Sequence, residues 1–343
     1  MKKNKPNNVY RYSHSSTSKY RNDEPVYFLI GTPTHSNIGD RAIAYAEIEF
    51  IANNNNKAAI IEVPYGEDIS NLDVRSGDTI ILHGGGNLGD IWPEEEEYRQ
   101  KIISTYRDEK IILMPQTIFF KNTDLLNKSR SLYASCKDLT LIAREKTSFH
   151  IMKENYTKNK VVLIPDIVLS IKVKNPVFSQ KKEYALFVIR DDKEKTTPAS
   201  FIHRAEDVVK YELGIDNFIF SDMHCKDSEA MINSHQFITE YKLNQYRRAK
   251  VVVTDRLHGM IFAVITRTPC LVFGSMTQKT KGVYDLIKQT KAGAYVRMCD
   301  DEADISSLLQ DITSKNKHSK STNEFDHKWR ELADIIDLKQ VNN

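Results

Sequence analysis

A chain of 343 residues leaves room for two domains of ordinary size. With 40% hydrophobic and 28% charged residues it has the composition of a globular protein with real cores, which excludes a disordered or fibrous class. Its 49 basic and 46 acidic residues leave a net +3, too little for the global basic field of a nucleic-acid binder, so an anionic partner has to be met by local arginines.

In chain order, the first 25 residues are basic and polar and lack the apolar stretch of a secretion signal, so 1–25 reads as a flexible polar arm. From there on, short apolar runs alternate with longer segments of helical period, the pattern of a parallel sheet with crossover helices. VYFLIG (26–31) reads as a buried strand, and GDRAIAYAEIEFIA (39–52) as a helix ended by the asparagines at 53–56. AAIIEV and TIILHG are the next strands. PEEEEYRQKIISTYRD (93–108) reads as a helix with Pro93 in its first turn, where the glutamates complement the macrodipole rather than hold a metal. KIILMPQT, LTLIARE and VVLIPD complete a first domain over 26–172. The polar, proline-containing stretch that follows places a linker at 173–183. The pattern restarts with YALFVIR (184–190), then FIF, KVVVTD (250–255) and PCLVFG (269–274), giving a second domain over 184–314. Trp329, Leu332, Ile335 and Ile336 stand at helical spacing and predict a helix within 315–343 that docks on one domain. The expected fold class is therefore α/β, two αβα domains facing one another across a cleft. No run approaches the ~18 apolar residues of a membrane span. The four scattered cysteines, Cys136, Cys225, Cys270 and Cys299, form no CxxC pair and fit a reducing compartment, so a cytoplasmic protein is expected.

Ligands of open α/β sheets sit at the carboxyl ends of strands, and three such ends carry unusual residues. In GTPTHSNIGD (31–40), Asn37 and Asp40 are candidates to hydrogen-bond sugar hydroxyls near a helix start. In LHGGGNLGD (82–90), Gly84, Gly85 and Gly86 spend backbone entropy, which points to close approach by a ligand or another backbone, and Asn87 and Asp90 follow them. Both loops contain N-[IL]-G-D, at 37–40 and 87–90, which suggests one shared pocket. The third is VVVTDRLHGMIFAVIT (251–266): a strand, an N-cap at Thr254 or Asp255, and a helix whose first turn contains Arg256 and His258. Two cations at a helix N-terminus oppose the macrodipole by some tenths of a kcal/mol, roughly, unless an anion sits there as well. Anion binding is therefore favoured over a structural salt bridge for Arg256.

NIGDRAIAYAE, HGGGNLGDIW, MPQT, AREKTS, PDIVLS and TDRLHGMIFAVITRTPCLVFG resemble, in order and spacing, the polysaccharide pyruvyl transferase family over about residues 31–290, most of all its exopolysaccharide-type members. The resemblance implies two Rossmann-like domains similar to the glycosyltransferase B type. It also implies transfer of pyruvate from phosphoenolpyruvate to a sugar of an exopolysaccharide or cell-wall glycan precursor, as a ketal, with release of phosphate. It carries the donor site onto Arg256, Leu257 and His258, with a further arginine at Arg144 or its competitor Arg190. The family's lysine corresponds loosely to Lys281, in a stretch (275–282) that departs from the pattern. Acceptor contacts fall to Asn37, Asp40, Gly84, Gly85, Gly86, Asn87 and Asp90. A histidine suits the general acid, because the free imidazole changes charge near working pH, which makes His258 the natural choice, and Asp40 or Asp90 is the candidate base. No cofactor or metal is expected beyond phosphoenolpyruvate as co-substrate. The partner is a glycan or lipid-linked sugar, with no nucleic acid and at most peripheral membrane association. Two other readings stand beside this one: a nucleotide-sugar-dependent glycosyltransferase, and a non-catalytic anion-binding or stress-related protein on the same fold.

Overall fold

The computed structural model describes residues 8–12, 17, 25–173, 182–191, 195–226, 234–274, 279–314 and 324–338. Most of the expected arm and linker, and residues 275–278, lie outside the described residues. The chain forms two compact units: residues 1–35, 43–170 and 325–343 in the first, 36–42 and 171–324 in the second.

The first unit holds β1 (Val9–Arg11), β2 (Val26–Thr32), β3 (Ala59–Pro64), β4 (Thr79–Leu82), β5 (Gly85–Gly89), β6 (Lys110–Phe119), β7 (Asp138–Ala143) and β8 (Lys160–Leu163). They make one sheet in the order β1-β3-β2-β4-β6-β7-β8, with β5 pairing β6, and every pairing is parallel. A parallel sheet is covered on both faces, so its central strands read as unbroken apolar runs; β3 and β4 are buried at every position. The helices are α1 (Ile38–Asn54), of which residues 43–54 belong to this unit and 38–42 to the second, α2 (Pro93–Thr105), α3 (Thr123–Tyr133) and α4 (Lys146–Asn155). Two strands differ from expectation. Val9–Arg11, taken as part of a flexible arm, is an edge strand on β3, and Tyr12 behind it is buried. Three residues between polar neighbours are too few to show a strand period. The glycine run, taken as a loop, is itself a strand along the upper half of β6. Pro115 lies within the register shift of the β6–β7 pairing between Leu113 and Gln116, and β5 takes up β6 from Gln116 onward.

The second unit runs β9 (Tyr184–Val188), α5 (Ala199–Asp207) extended by a π-helical turn, β10 (Phe218–Ser221), α6 (His235–Arg248), β11 (Ala249–Thr254), α7 (Leu257–Thr266), β12 (Cys270–Phe273), α8 (Lys279–Ile287), β13 (Val296–Cys299) and α9 (Ile305–Ser314). Its sheet is parallel throughout, in the order β10-β9-β11-β12-β13. The chain leaves β9 toward β10 on one side and returns to β11 on the other, which makes the carboxyl ends of β9 and β11 a topological switch point. The first sheet has the same feature between β2 and β4.

The last helix, α10 (Asp326–Ile336), belongs to the first unit. It buries Leu332, Ala333, Ile335 and Ile336, and Trp329 meets Phe50 of α1 edge-on, ring centres 6.3 Å apart. Among the described residues, no helix is long and apolar enough to cross a membrane.

Candidate active site

At the switch point of the second unit, β11 ends in Thr254 and α7 begins at Leu257, so Asp255 and Arg256 form the turn between them. Arg256 is the N-cap residue, in extended conformation, rather than Thr254 or Asp255. Thr254 organises this turn through its hydroxyl, which donates to Val188 O at 2.7 Å and accepts from the Arg256 amide at 3.1 Å. Gly259 then packs on Thr254: a Cβ would strike its Oγ1 and lie 3.2 Å from its Cβ. The glycine serves the close seat of helix on strand.

Asp255 points inward. Its carboxylate accepts the Arg190 amide at 2.9 Å and the Thr197 hydroxyl at 3.1 Å, tying the ends of β9 and β11 together. Burial raises its pKa, and those two hydrogen bonds and the arginine charges oppose the rise. Arg256 is bidentate on Asp222, just beyond β10, with Nε and Nη2 at 2.7 and 2.6 Å from the two carboxylate oxygens. This is the salt bridge that the sequence reading weighed against anion binding, and it fixes the plane of the guanidinium.

His258 occupies the first turn of α7, half-buried. Its imidazole lies against Gly39, where a Cβ would come within 2.7 Å of the ring Cγ. That glycine therefore makes room for the histidine rather than for an incoming ligand. Asn37 caps α1 with its side-chain oxygen, accepting the Gly39 amide at 2.8 Å and the Asp40 amide at 3.4 Å. Residues 36–38 are laced to 223–225 by the Ile38 amide on Met223 O at 2.8 Å, the Cys225 amide on Ser36 O at 3.0 Å and a bridge between Asn37 and His224. Asp40 is partly exposed in the first turn of α1. His258, Arg256, Arg190, Asn37 and Asp40 thus belong to one unit. Lys281, on α8, pairs with Asp285 one turn along its own helix at 3.5 Å.

In the first unit the glycine loop is anchored by Glu47, a fully buried carboxylate of α1. It meets His83 Nδ1 at 2.8 Å and accepts the Gly84 amide at 2.9 Å. Gly84 lies against the backbone of Pro115, where a Cβ would be tight at 3.0 Å, and Gly89 is folded onto Phe119 so closely that it tolerates no side chain. Asn87 accepts from Arg99 at 2.7 Å and from Gln116 at 3.1 Å, and Asp90 accepts the amides of Lys121 and Asn122 at 2.8 and 2.6 Å. The repeated N-[IL]-G-D thus folds in two ways: a helix cap at 37–40, a strand and its exit at 87–90. Of the glutamates at the start of α2, Glu96 turns inward to Arg99 and Tyr133. Arg144 is enclosed, its Nε on Thr117 at 2.8 Å and its Nη1 on Asp166 at 2.8 Å.

Sequence reasoning overlooked three residues that build these sites: Asp222, Glu47 and Gln116. Asp222 carried a signal, an acidic side chain two residues after the FIF run and just past the end of its strand, where the switch-point rule looks. Glu47 is a single carboxylate among the apolar residues of α1, a weaker signal of the same kind.

The family model described as polysaccharide pyruvyl transferase matches residues 37–275. General stress protein 30 of Bacillus subtilis (strain 168) is 34% identical over 275 residues, covering 77% of this chain and 78% of that protein. Pyruvyl transferase 1 of Schizosaccharomyces pombe is 28% identical over 268 residues, covering 71% of this chain and 65% of that protein. Among solved structures, MnaA of Staphylococcus aureus with UDP superposes with a TM-score of 0.54 at 13% identity, over 92% of this chain and 97% of that one. At that identity the likeness concerns the fold alone, which is of the glycosyltransferase B type.

Proposed function

Because the chain belongs to the polysaccharide pyruvyl transferase family, we propose that this pyruvyl transferase takes its pyruvyl group from phosphoenolpyruvate and joins it to a glycan as a ketal. The observation that carries the reading is the position of Asp255–Arg256–Leu257–His258–Gly259 at the N-terminus of α7, on the switch point of the second sheet. Helix N-terminus and Arg256 offer N–H donors to one anionic group of the donor. Asp222 offsets part of the arginine's charge, so the helix N-terminus shares in holding the anion. Arg190, in the same unit, is the second donor-side arginine; Arg144 is committed to Asp166 in the other unit.

In the reaction, His258 delivers a proton to the methylene carbon, and C2 becomes oxocarbenium-like. A sugar hydroxyl adds to C2 and gives up its proton to a base. A second hydroxyl of the same sugar then displaces phosphate at C2, its proton leaving with the phosphate. One proton is gained at carbon and two are lost from hydroxyls, so the balance closes with inorganic phosphate as the only leaving group. Of the two candidate bases, Asp40 shares the unit of His258, whereas Asp90 is occupied by two backbone amides.

Phosphate release from phosphoenolpyruvate is measured with a panel of glycans and lipid-linked sugars. The wild-type protein is expected to release phosphate with one of them, and His258→Ala to lose about 10²- to 10⁴-fold in kcat. Near-normal turnover in that variant moves the acid elsewhere. Thermal stabilisation by a nucleotide-sugar with no response to phosphoenolpyruvate favours the glycosyltransferase reading instead.

A further inference from the structure

Lys242 of α6 is 2% exposed, an ammonium group placed inside the second unit. Its Nζ donates to Ser221 Oγ at 2.6 Å and to the backbone oxygen of Asp222 at 2.8 Å. Asp222 then receives Arg256 on both carboxylate oxygens and its neighbour's amide, that of Met223, on Oδ1 at 2.7 Å. From there the strand-like contacts of 223–225 with 36–38 lead to Gly39, on which His258 rests. An interior lysine is expensive, and an apolar side chain of similar length would fill the same space without that cost. The lysine's two hydrogen bonds go to the segment whose Asp222 carboxylate receives Arg256.

We infer that Lys242 is a positioning residue: by clamping Ser221 and Asp222 it sets the carboxylate that orients the Arg256 guanidinium at the mouth of α7. This deepens the phosphoenolpyruvate reading and rests on it for its catalytic meaning, while the clamp itself is observable without any donor. Asp222 favours the charged lysine, and the same carboxylate receives Arg256. Tyr246 on α6 and Cys270 on β12 are pushed upward by burial and stay neutral over the working range. Burial lowers the lysine itself to about 8, against the pull of Asp222, so the clamp has a charge to lose at mildly alkaline pH.

The test uses the whole chain with ¹⁵N-labelled arginine, the Arg256 Nε resonance being the one missing from Arg256→Lys. In the wild-type protein this resonance should shift with a midpoint near the lysine value of about 8. In Lys242→Met it should be displaced already at pH 7 and show no such midpoint. The same variant should raise KM for phosphoenolpyruvate about tenfold with a smaller change in kcat, and lose the alkaline limb of kcat/KM. An Arg256 resonance indifferent to both the pH step and the substitution overturns the inference. Should Lys242→Met fail to fold by circular dichroism, the wild-type titration decides alone. A wild-type protein that ignores phosphoenolpyruvate sinks the functional reading, and the resonance still decides the clamp.

Discussion

The imidazole of His258 has no room to spare, because Gly39 is the surface it lies on. Gly39→Ala is therefore expected to push the ring out of place and cost about 10²-fold in phosphate release, the usual penalty for an ångström of misplacement. Its unfolding free energy should fall by only about 1–3 kcal/mol, read from a urea titration, since one methyl group is forced into a packed contact. Lys242 makes the opposite kind of demand. The unfolded chain holds its proton near the ordinary value of 10.5, and the folded chain only to about 8. Below about 8 the fold carries the whole cost of the buried charge, a term of about 3 kcal/mol. Between those two values the unfolded state is the more protonated one, so this group makes stability rise with pH. Urea titrations of Lys242→Met from pH 7.5 to 10.5 should lack that rise, with stability at pH 7.5 no lower than in the wild-type protein. A rise of equal size in the variant would mean that another group titrates there.

At the level of elements, strands and helices of the two sheets were legible because parallel sheets impose unbroken apolar runs, and α7 was legible to within a residue or two of its N-cap. Less visible was anything whose meaning depends on a distant partner. Asp222 and Arg256 are 34 residues apart, Glu47 and His83 are 36 apart, and no local period links them. Glycines left their partner open for a related reason. Gly84 and Gly89 are small because β6 lies against them, and Gly259 because Thr254 does, so a sign of close approach was right while its partner was the chain itself. The seat of α7 on β11 makes a direct prediction. Gly259→Ala drives a methyl group into Thr254, breaks the hydroxyl's bonds to Val188 and Arg256, and should destabilise the protein by about 1–3 kcal/mol. Loss of turnover should accompany it, because the Arg256 turn is held by the same hydroxyl. Thr254→Ser, which keeps the hydroxyl, should retain most activity.

Across the whole molecule, the second unit takes its contacts from 36–42 as well as 171–324, and the first from both flanks of the sequence. Leu332→Ala on α10 removes a fully buried side chain and should cost about 2–5 kcal/mol. Hydrogen exchange by mass spectrometry should locate the loss in β2, α1 and β6, which α10 and its exit touch through Tyr27, Phe50 and Lys110, and leave β9 and β11 protected. Uniform deprotection of both sheets would show that the two units unfold as one. The interrupted first unit also has a consequence during synthesis. When the ribosome has finished residue 170, the large sheet can pair all its strands, yet the surface meant for Leu332, Ile335 and Ile336 stays open until more than a hundred further residues have been made. Until α10 arrives, the nascent protein presents a greasy patch to the cell's chaperones, and that interval gives them a reason to attend it.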